Sequence, residues 1–205
     1  MISAGSLSRP ALRRQLRQAR RNLNPLQQRQ AARALYRQLA QHPLFRRARS
    51  IALYLPNDGE IDPGLLLQEA WRRGKAVFIP RLARWPASRM LFQQIKPGEA
   101  LQNNRFRIAE PAANRARQRK YWSLDLILLP LVGFDEHGGR LGMGGGFYDR
   151  SLAGALRHKA RRTPLLIGLA HECQKVDRLI LGPLDVPLAV CVTDRYWYAS
   201  AAAAQ

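Results

Sequence analysis

The chain has 205 residues, 46% hydrophobic and 23% charged, a composition that excludes wholesale disorder and allows one domain with a sizeable buried core. Its 34 Lys+Arg against 14 Asp+Glu give a formal net charge of +20. That imbalance implies an anionic partner (nucleic acid, an acidic surface, or phosphorylated and carboxylated small molecules), with an arginine-biased solvated surface as the competing explanation. No apolar run approaches the roughly 18 residues of a membrane span. Two cysteines, Cys173 and Cys191, make no disulfide framework and no zinc motif, and fit a reducing cytoplasm.

Five lysines leave 29 arginines, and twelve arginines precede the first acidic residue, Asp58. In the first segment Leu12, Leu16, Ala19 and Leu23 recur at helical spacing, which predicts a helix with a face to pack rather than a cleaved targeting peptide. A second helix is predicted to start at Asn24-Pro25, with Asn24 as N-cap and Gln27 completing a capping box; Leu35 and Leu39 extend its apolar stripe towards His42-Pro43. Residues 50–56 (SIALYLP) read as a buried strand, 63–73 as a helix ending at Gly74, and 76–82 (AVFIPRL) as a second strand. Residues 83–120 hold Pro86, Pro97, Gly98 and Pro111 and are predicted to form a hairpin and loops. The most apolar strand is 124–134 (LDLILLPLVGF), followed by a glycine-rich turn and a helix from about Phe147. Residues 164–170 and 188–194 supply two further strands. Apolar strands alternating with helices predict an α/β fold: a single three-layer α/β/α domain over residues 1–205 with a mostly parallel central sheet, and a tail, 199–205, that frays.

The segment 134–150, FDEHGGRLGMGGGFYDR, carries the chemistry. Gly138, Gly139, Gly142, Gly144, Gly145 and Gly146 follow a buried strand and precede a helix. Glycines there admit positive φ and let backbone N–H groups approach a ligand, and the helix N-terminus adds donors and partial positive charge. This suits a phosphate beyond the carboxyl end of a strand. A Walker loop requires Lys and Ser/Thr after its last glycine, but Phe147-Tyr148 follow here, and Phe147 also stands where the dinucleotide fingerprint needs its third glycine. A purely structural glycine turn is the alternative.

With RLGMGGGFYDR on the page, the chain resembles the 5-formyltetrahydrofolate cyclo-ligase (5,10-methenyltetrahydrofolate synthetase) family. The likeness runs through YLPNDGEID (54–62), GKAVFIPRL (74–82), RIAEP (107–111), LIGLAHECQ and DVPLAVCVTD. It implies a three-layer α/β domain that binds MgATP and closes 5-formyltetrahydrofolate, with or without a polyglutamate tail, to 5,10-methenyltetrahydrofolate, releasing ADP and phosphate. It further implies an ATP site formed by Arg9 and Arg13 of the first helix with Arg140, Leu141, Gly142, Met143, Gly144, Gly145, Gly146, Phe147 and Tyr148. Arg9 stands where relatives usually carry lysine. The pterin would meet Leu55, Glu60, Phe147 and Tyr148, and magnesium would meet Asp149 and Asp185; Arg140 and Tyr148 are the expected catalytic side chains. A carboxylate such as Glu60 accepts two N–H donors in fork geometry, and a hard cation takes carboxylate oxygen beside phosphates. The protein is expected to be a cytoplasmic monomer.

Other signals carry less. His171 and Cys173 read as strand-end residues rather than a nucleophile pair, and Lys120-Tyr121-Trp122 as a strand cap rather than a nucleic-acid site. Two alternatives stand beside the enzyme reading: an arginine-rich nucleic-acid-binding protein, and a sugar-phosphate or CoA enzyme of similar architecture.

Overall fold

The computed structural model describes residues 7–83, 90–157, 163–182 and 185–200, with the side chains of 154–157 left aside. Helix α1 (Arg9–Arg21) starts at the Ser8 cap, and α2 (Pro25–Leu39) starts at the full capping box of Asn24 and Gln27, so both starts follow the sequence. A short α3 (Pro43–Arg47) leads into β1 (Ser50–Ala52), then α4 (Gly64–Arg72) and β2 (Ala76–Leu82). The region read as hairpin and loops contains β3 (Met90–Gln94), β4 (Leu101–Asn103), β5 (Ala109–Pro111) and β6 (Gln118–Arg119); residues 84–89 lie outside the described set. Then come β7 (Leu126–Pro130), β8 (Gly133–Phe134), β9 (Arg140–Leu141), α5 (Phe147–Arg157), β10 (Leu165–Leu169), β11 (Val190–Val192) and β12 (Trp197–Ala199).

The main sheet has the order β12-β11-β10-β7-β1-β2-β3-β6. Its five central strands, β11 to β2, are mutually parallel, and β12, β3 and β6 join antiparallel at the two edges. The mostly parallel sheet read from the apolar strands is therefore present. Side chains of one strand go alternately to the two faces. Leu126 and Leu128 join Ile51, Val77, Ile167 and Val192 under Leu35 and Leu39 of α2, Phe45 of α3 and Leu66 and Ala70 of α4. Ile127 and Leu129 join Ala52, Phe78 and Leu166 against Leu152 of α5. That division makes three layers.

Helix α1 belongs to neither layer. Its Leu12 and Leu16 pack with Val132, Leu141 and Val176 in a small cluster of their own, at the carboxyl end of the parallel strands.

Two sequence expectations need correction. The strand read over 50–56 pairs only as Ser50–Ala52, with one further bond from Leu53 N–H to the Phe78 carbonyl; residues beyond it leave the sheet. The tail starts later than residue 199: Ala199 pairs with Val190, and buried Ser200 donates to the Leu188 carbonyl at 2.9 Å. Residues 201–205 lie outside the described set.

Candidate active site

The strand ends explain how the glycine segment is shaped. After β7 the chain makes a hairpin, β8–β9, whose turn closes on Asp135. This buried carboxylate accepts from His137 N–H at 2.9 Å and Gly139 N–H at 2.7 Å, and from Leu179 N–H at 2.8 Å. Gly139 is required there, since a Cβ would lie 2.4 Å from Asp135 Oδ2. The hairpin delivers Gly142 to Gly146 to the N-terminus of α5, with positive φ at Gly144 and Gly146. Leu141 is buried against α1, so only its backbone can serve a ligand, and Met143 is exposed.

Arginines reach this loop from two directions. Arg13 of α1 donates from Nε to the Gly142 carbonyl at 2.9 Å and lies alongside Gly144. From α5 itself, Arg150 donates to the Gly145 carbonyl and stands 5.5 Å from the Phe147 ring. Arg9 binds Asp185 Oδ2 through both terminal nitrogens at 3.0 Å. Arg140, nearly buried, is ion-paired with Asp149, and Asp149 Oδ1 also accepts from Val186 N–H at 3.3 Å. The two expected magnesium carboxylates therefore sit on one patch, Asp185 next in sequence to Val186, and each is neutralised by an arginine.

No group of three or more metal-ligating side chains occurs among the described residues. A cation on this patch would find one or two carboxylate oxygens, a donor set adequate for a magnesium ion that takes its remaining ligands from phosphates and water. The residues fit such an ion in that restricted sense.

The expected pterin carboxylate lies in a second loop, after β1. Residues 57–60 form a tight turn closed by Glu60 N–H to the Asn57 carbonyl at 3.1 Å, with φ of 54° at Asp58 and 74° at Gly59, the positive values that define a type I′ turn. The Glu60 carboxylate accepts from Asn57 N–H at 3.2 Å. Burial pushes it up to about 7 despite the pull of Arg20, whose Nη2 stands 3.8 Å from Glu60 Oε1. Leu55 is half-buried and packed against the main core, so a ligand would meet one side of it. Tyr148, on α5, has its hydroxyl raised above the ordinary value, by burial first and then by the Glu60 charge; its ring lies 6.0 Å from the Arg140 guanidinium. Tyr148 thus joins the two loops electrostatically, and it is protonated at neutral pH. Phe147 meets Phe106 edge-on at 5.6 Å.

Several residues here were not anticipated. Asp58, the first acidic residue of the chain, takes Arg17 at 2.7 Å, Arg20 at 2.9 Å and Arg21, which holds its carboxyl down to about 2; burial opposes that direction. Its position after twelve arginines was the available signal. Phe106, at the tip of the β4–β5 hairpin, has no local signature. Arg150 follows the glycine motif directly and was overlooked as a member of the loop.

His171 is buried, which pulls its imidazole down to about 4 although Asp194 and the Gly59 carbonyl favour its protonation. The thiol of Cys173 is raised, by partial burial and then by Asp194, so the two do not form an activated pair. Tyr121 is buried immediately before β7, with Lys120 4.8 Å from the Trp122 ring, an arrangement that caps the strand.

Known proteins resemble this chain over most of its length. The sequence model of the 5-formyltetrahydrofolate cyclo-ligase family matches residues 6–194. The chain is 38% identical over 178 residues to the 5-formyltetrahydrofolate cyclo-ligase of Escherichia coli, covering 87% of this chain and 96% of that one. It is 39% identical over 184 residues to the Haemophilus influenzae protein of the same name, covering 88% and 94%. Among solved structures, the 5,10-methenyltetrahydrofolate synthetase of Aquifex aeolicus superposes with a TM-score of 0.79 at 28% identity, over 94% of this chain and 93% of that one. The Mycoplasma pneumoniae synthetase shares the fold, with a TM-score of 0.70 at 23% identity, over 92% and 100%.

Proposed function

The chain belongs to the 5-formyltetrahydrofolate cyclo-ligase family, and from that premise we propose that it converts 5-formyltetrahydrofolate to 5,10-methenyltetrahydrofolate with MgATP, releasing ADP and phosphate. The observation that carries this reading is the position of α1. Its first turns touch the glycine loop through Arg13, and its last turn holds the Asp58 turn through Arg20, so one helix joins the loop proposed to cradle phosphate to the turn that carries Glu60.

An N-formyl group is a poor electrophile because its oxygen leaves badly. Transfer of the γ-phosphoryl group of ATP to that oxygen turns it into a leaving group; N10 then attacks the formyl carbon, phosphate departs and the ring closes. No covalent link to the protein is needed, so the protein supplies position and charge. The N–H groups of 142–146 and the α5 N-terminus hold phosphate oxygens, joined by Arg9, Arg13 and Arg140. Arg140 exchanges its Asp149 contact for the phosphates, which leaves Asp149, with Asp185, as the carboxylates that would hold magnesium. The bound ion supplies neutralisation of phosphate charge. Glu60 accepts the N–H edge of the pterin, Leu55 and Phe147 cover its flat faces, and Tyr148, protonated, donates a hydrogen bond at the reacting end. The basic surface accords with two anionic substrates; a cytoplasmic, monomeric enzyme is the accompanying reading.

The test is the absorbance of the methenyl product after mixing protein, 5-formyltetrahydrofolate, ATP and magnesium. The expected result is a rise that needs both ATP and magnesium. No rise with folded protein would refute the reading.

A further inference from the structure

Arg20 is the largest fully buried side chain among the described residues, although it is charged. Its guanidinium makes three bonds: Nε to the Asp58 carbonyl at 2.8 Å, Nη1 to the Leu131 carbonyl at 3.1 Å, and Nη2 to Asp58 Oδ2 at 2.9 Å. These fasten the end of α1 to the turn after β1 and to the end of β7. They do not exhaust its effect. Glu60 Oε1 stands 3.8 Å from Arg20 Nη2, too far for a hydrogen bond and near enough for a strong Coulombic interaction in a buried setting. Asp58 and the two carbonyls compensate the buried cation, and its field also reaches Glu60.

We propose that Arg20 is a positioning residue for folate binding, its charge favouring the ionised form of the Glu60 carboxyl and its bonds to Asp58 and Leu131 aiming that carboxyl at the pterin edge. The inference rests on Glu60 as the pterin acceptor. The charged and titratable groups around Glu60 are Arg20 from α1, Asp58 from its own turn, Tyr54 and Asp62 from the segment that follows β1, Tyr148 from α5, and His171 after β10, which lies against Gly59 of the same turn and is held neutral by burial. Among these Arg20 alone is a cation. Without it the site offers a buried carboxylic acid flanked by tyrosines and a second carboxylate, and a protonated Glu60 presents one acceptor oxygen where an aminopterin edge offers two donors.

The experiment measures the KM for 5-formyltetrahydrofolate and for ATP between pH 5.5 and 8.5 in wild type, Arg20→Gln, Arg20→Lys and Glu60→Gln, with thermal melts at each pH. Arg20→Gln is expected to raise the folate KM at pH 7 at least about tenfold and leave the ATP KM within about twofold. It should also move the pH below which folate KM climbs upward by about one unit, and Arg20→Lys should restore that pH. A role confined to bracing the turn would lower the melting temperature without moving the pH profile, and that result overturns the proposal. If Arg20→Gln does not fold, the lysine variant decides: it keeps the cation but loses the forked bonds, so a pH profile displaced from wild type in Arg20→Lys refutes the charge role and an unchanged one supports it. Glu60→Gln separates the two readings. A folate KM unaffected by that change removes Glu60 from the pterin site and the inference with it. A raised KM in Glu60→Gln beside an unaltered Arg20→Gln refutes the inference alone.

Discussion

Two buried groups beside the same turn titrate in opposite senses, and their opposition is measurable. His171 is held down to about 4 in the folded protein against an ordinary 6.5. Between those values the unfolded chain binds the proton and the folded chain does not, so this contribution to stability is complete above pH 6.5 and lost as pH falls towards 4. Glu60 is pushed up to about 7 against an ordinary 4.5. There the folded chain binds the proton, so its contribution is complete below pH 4.5 and lost as pH rises through 7. Each gap, at about 1.4 kcal/mol per pH unit, is worth about 3 kcal/mol. In the ligand-free wild type the two largely cancel between pH 4.5 and 6.5. His171→Phe removes one titration: stability relative to wild type should rise by about 3 kcal/mol on going from pH 7 to pH 4.5, roughly 6–12 °C in melting temperature for a chain of this size. Glu60→Gln should show the reverse, gaining on wild type as pH rises from 4.5 to 7. Urea or thermal unfolding of the three proteins across this range measures the differences, in which all other titrations cancel. A His171→Phe minus wild-type difference that stays constant with pH would refute the reasoning, because it would mean the ring protonates inside the folded protein.

Other expectations are simpler. Asp149→Asn should lower turnover at limiting magnesium by at least about tenfold, with excess magnesium restoring part of it and the melting temperature changing little; full activity at limiting magnesium would remove Asp149 from the metal-binding set. Arg13→Gln removes the side chain bonded to Gly142 and should raise the ATP KM by about tenfold or more in steady-state assays, with a smaller effect on folate KM. Gly139→Ala places a Cβ against Asp135 and should destabilise by about 2 kcal/mol or more in urea unfolding through loss of the carboxylate's turn bonds; unchanged stability would show that the turn yields cheaply.

How much of this could be read beforehand follows sequence distance. The glycine loop and α5 are contiguous, and their order after β7 made the loop's place beyond the end of that strand legible. The capping box at Asn24 and the apolar strands were legible for the same reason. The short edge strands β6 and β12, of two and three residues, carry too little periodicity to stand out. The strand at 50–56 was overextended because Leu53 and Tyr54 are buried without being paired, so apolarity outran hydrogen bonding. The Arg20–Asp58–Glu60 group was hidden, since its members are about 40 residues apart and meet only once α1 docks. The arginine excess was read as a surface for outside anions; yet Arg17, Arg20 and Arg21 are matched internally by Asp58 and Arg9 by Asp185, while Arg29, Arg33 and Arg37 run exposed along α2 at four-residue intervals.

Helix α1, outside the three layers, seats its Leu12 and Leu16 on three buried apolar residues, Val132, Leu141 and Val176, and is otherwise held by its arginines. Its outer contacts, Arg9 with Asp185 and Arg17 and Arg21 with Asp58, are partly open to solvent, so dissolved ions screen them, while the apolar layers are indifferent to that screening. Ionic strength then becomes a variable that acts on α1 ahead of the fold: moderate salt is expected to loosen the helix that carries Arg13 and Arg20 to the proposed site while the sheet and its covering helices keep their melting temperature. Catalysis and stability would part company along that axis, and the electrolyte around the protein, as much as its substrate supply, would set how often the proposed site is assembled.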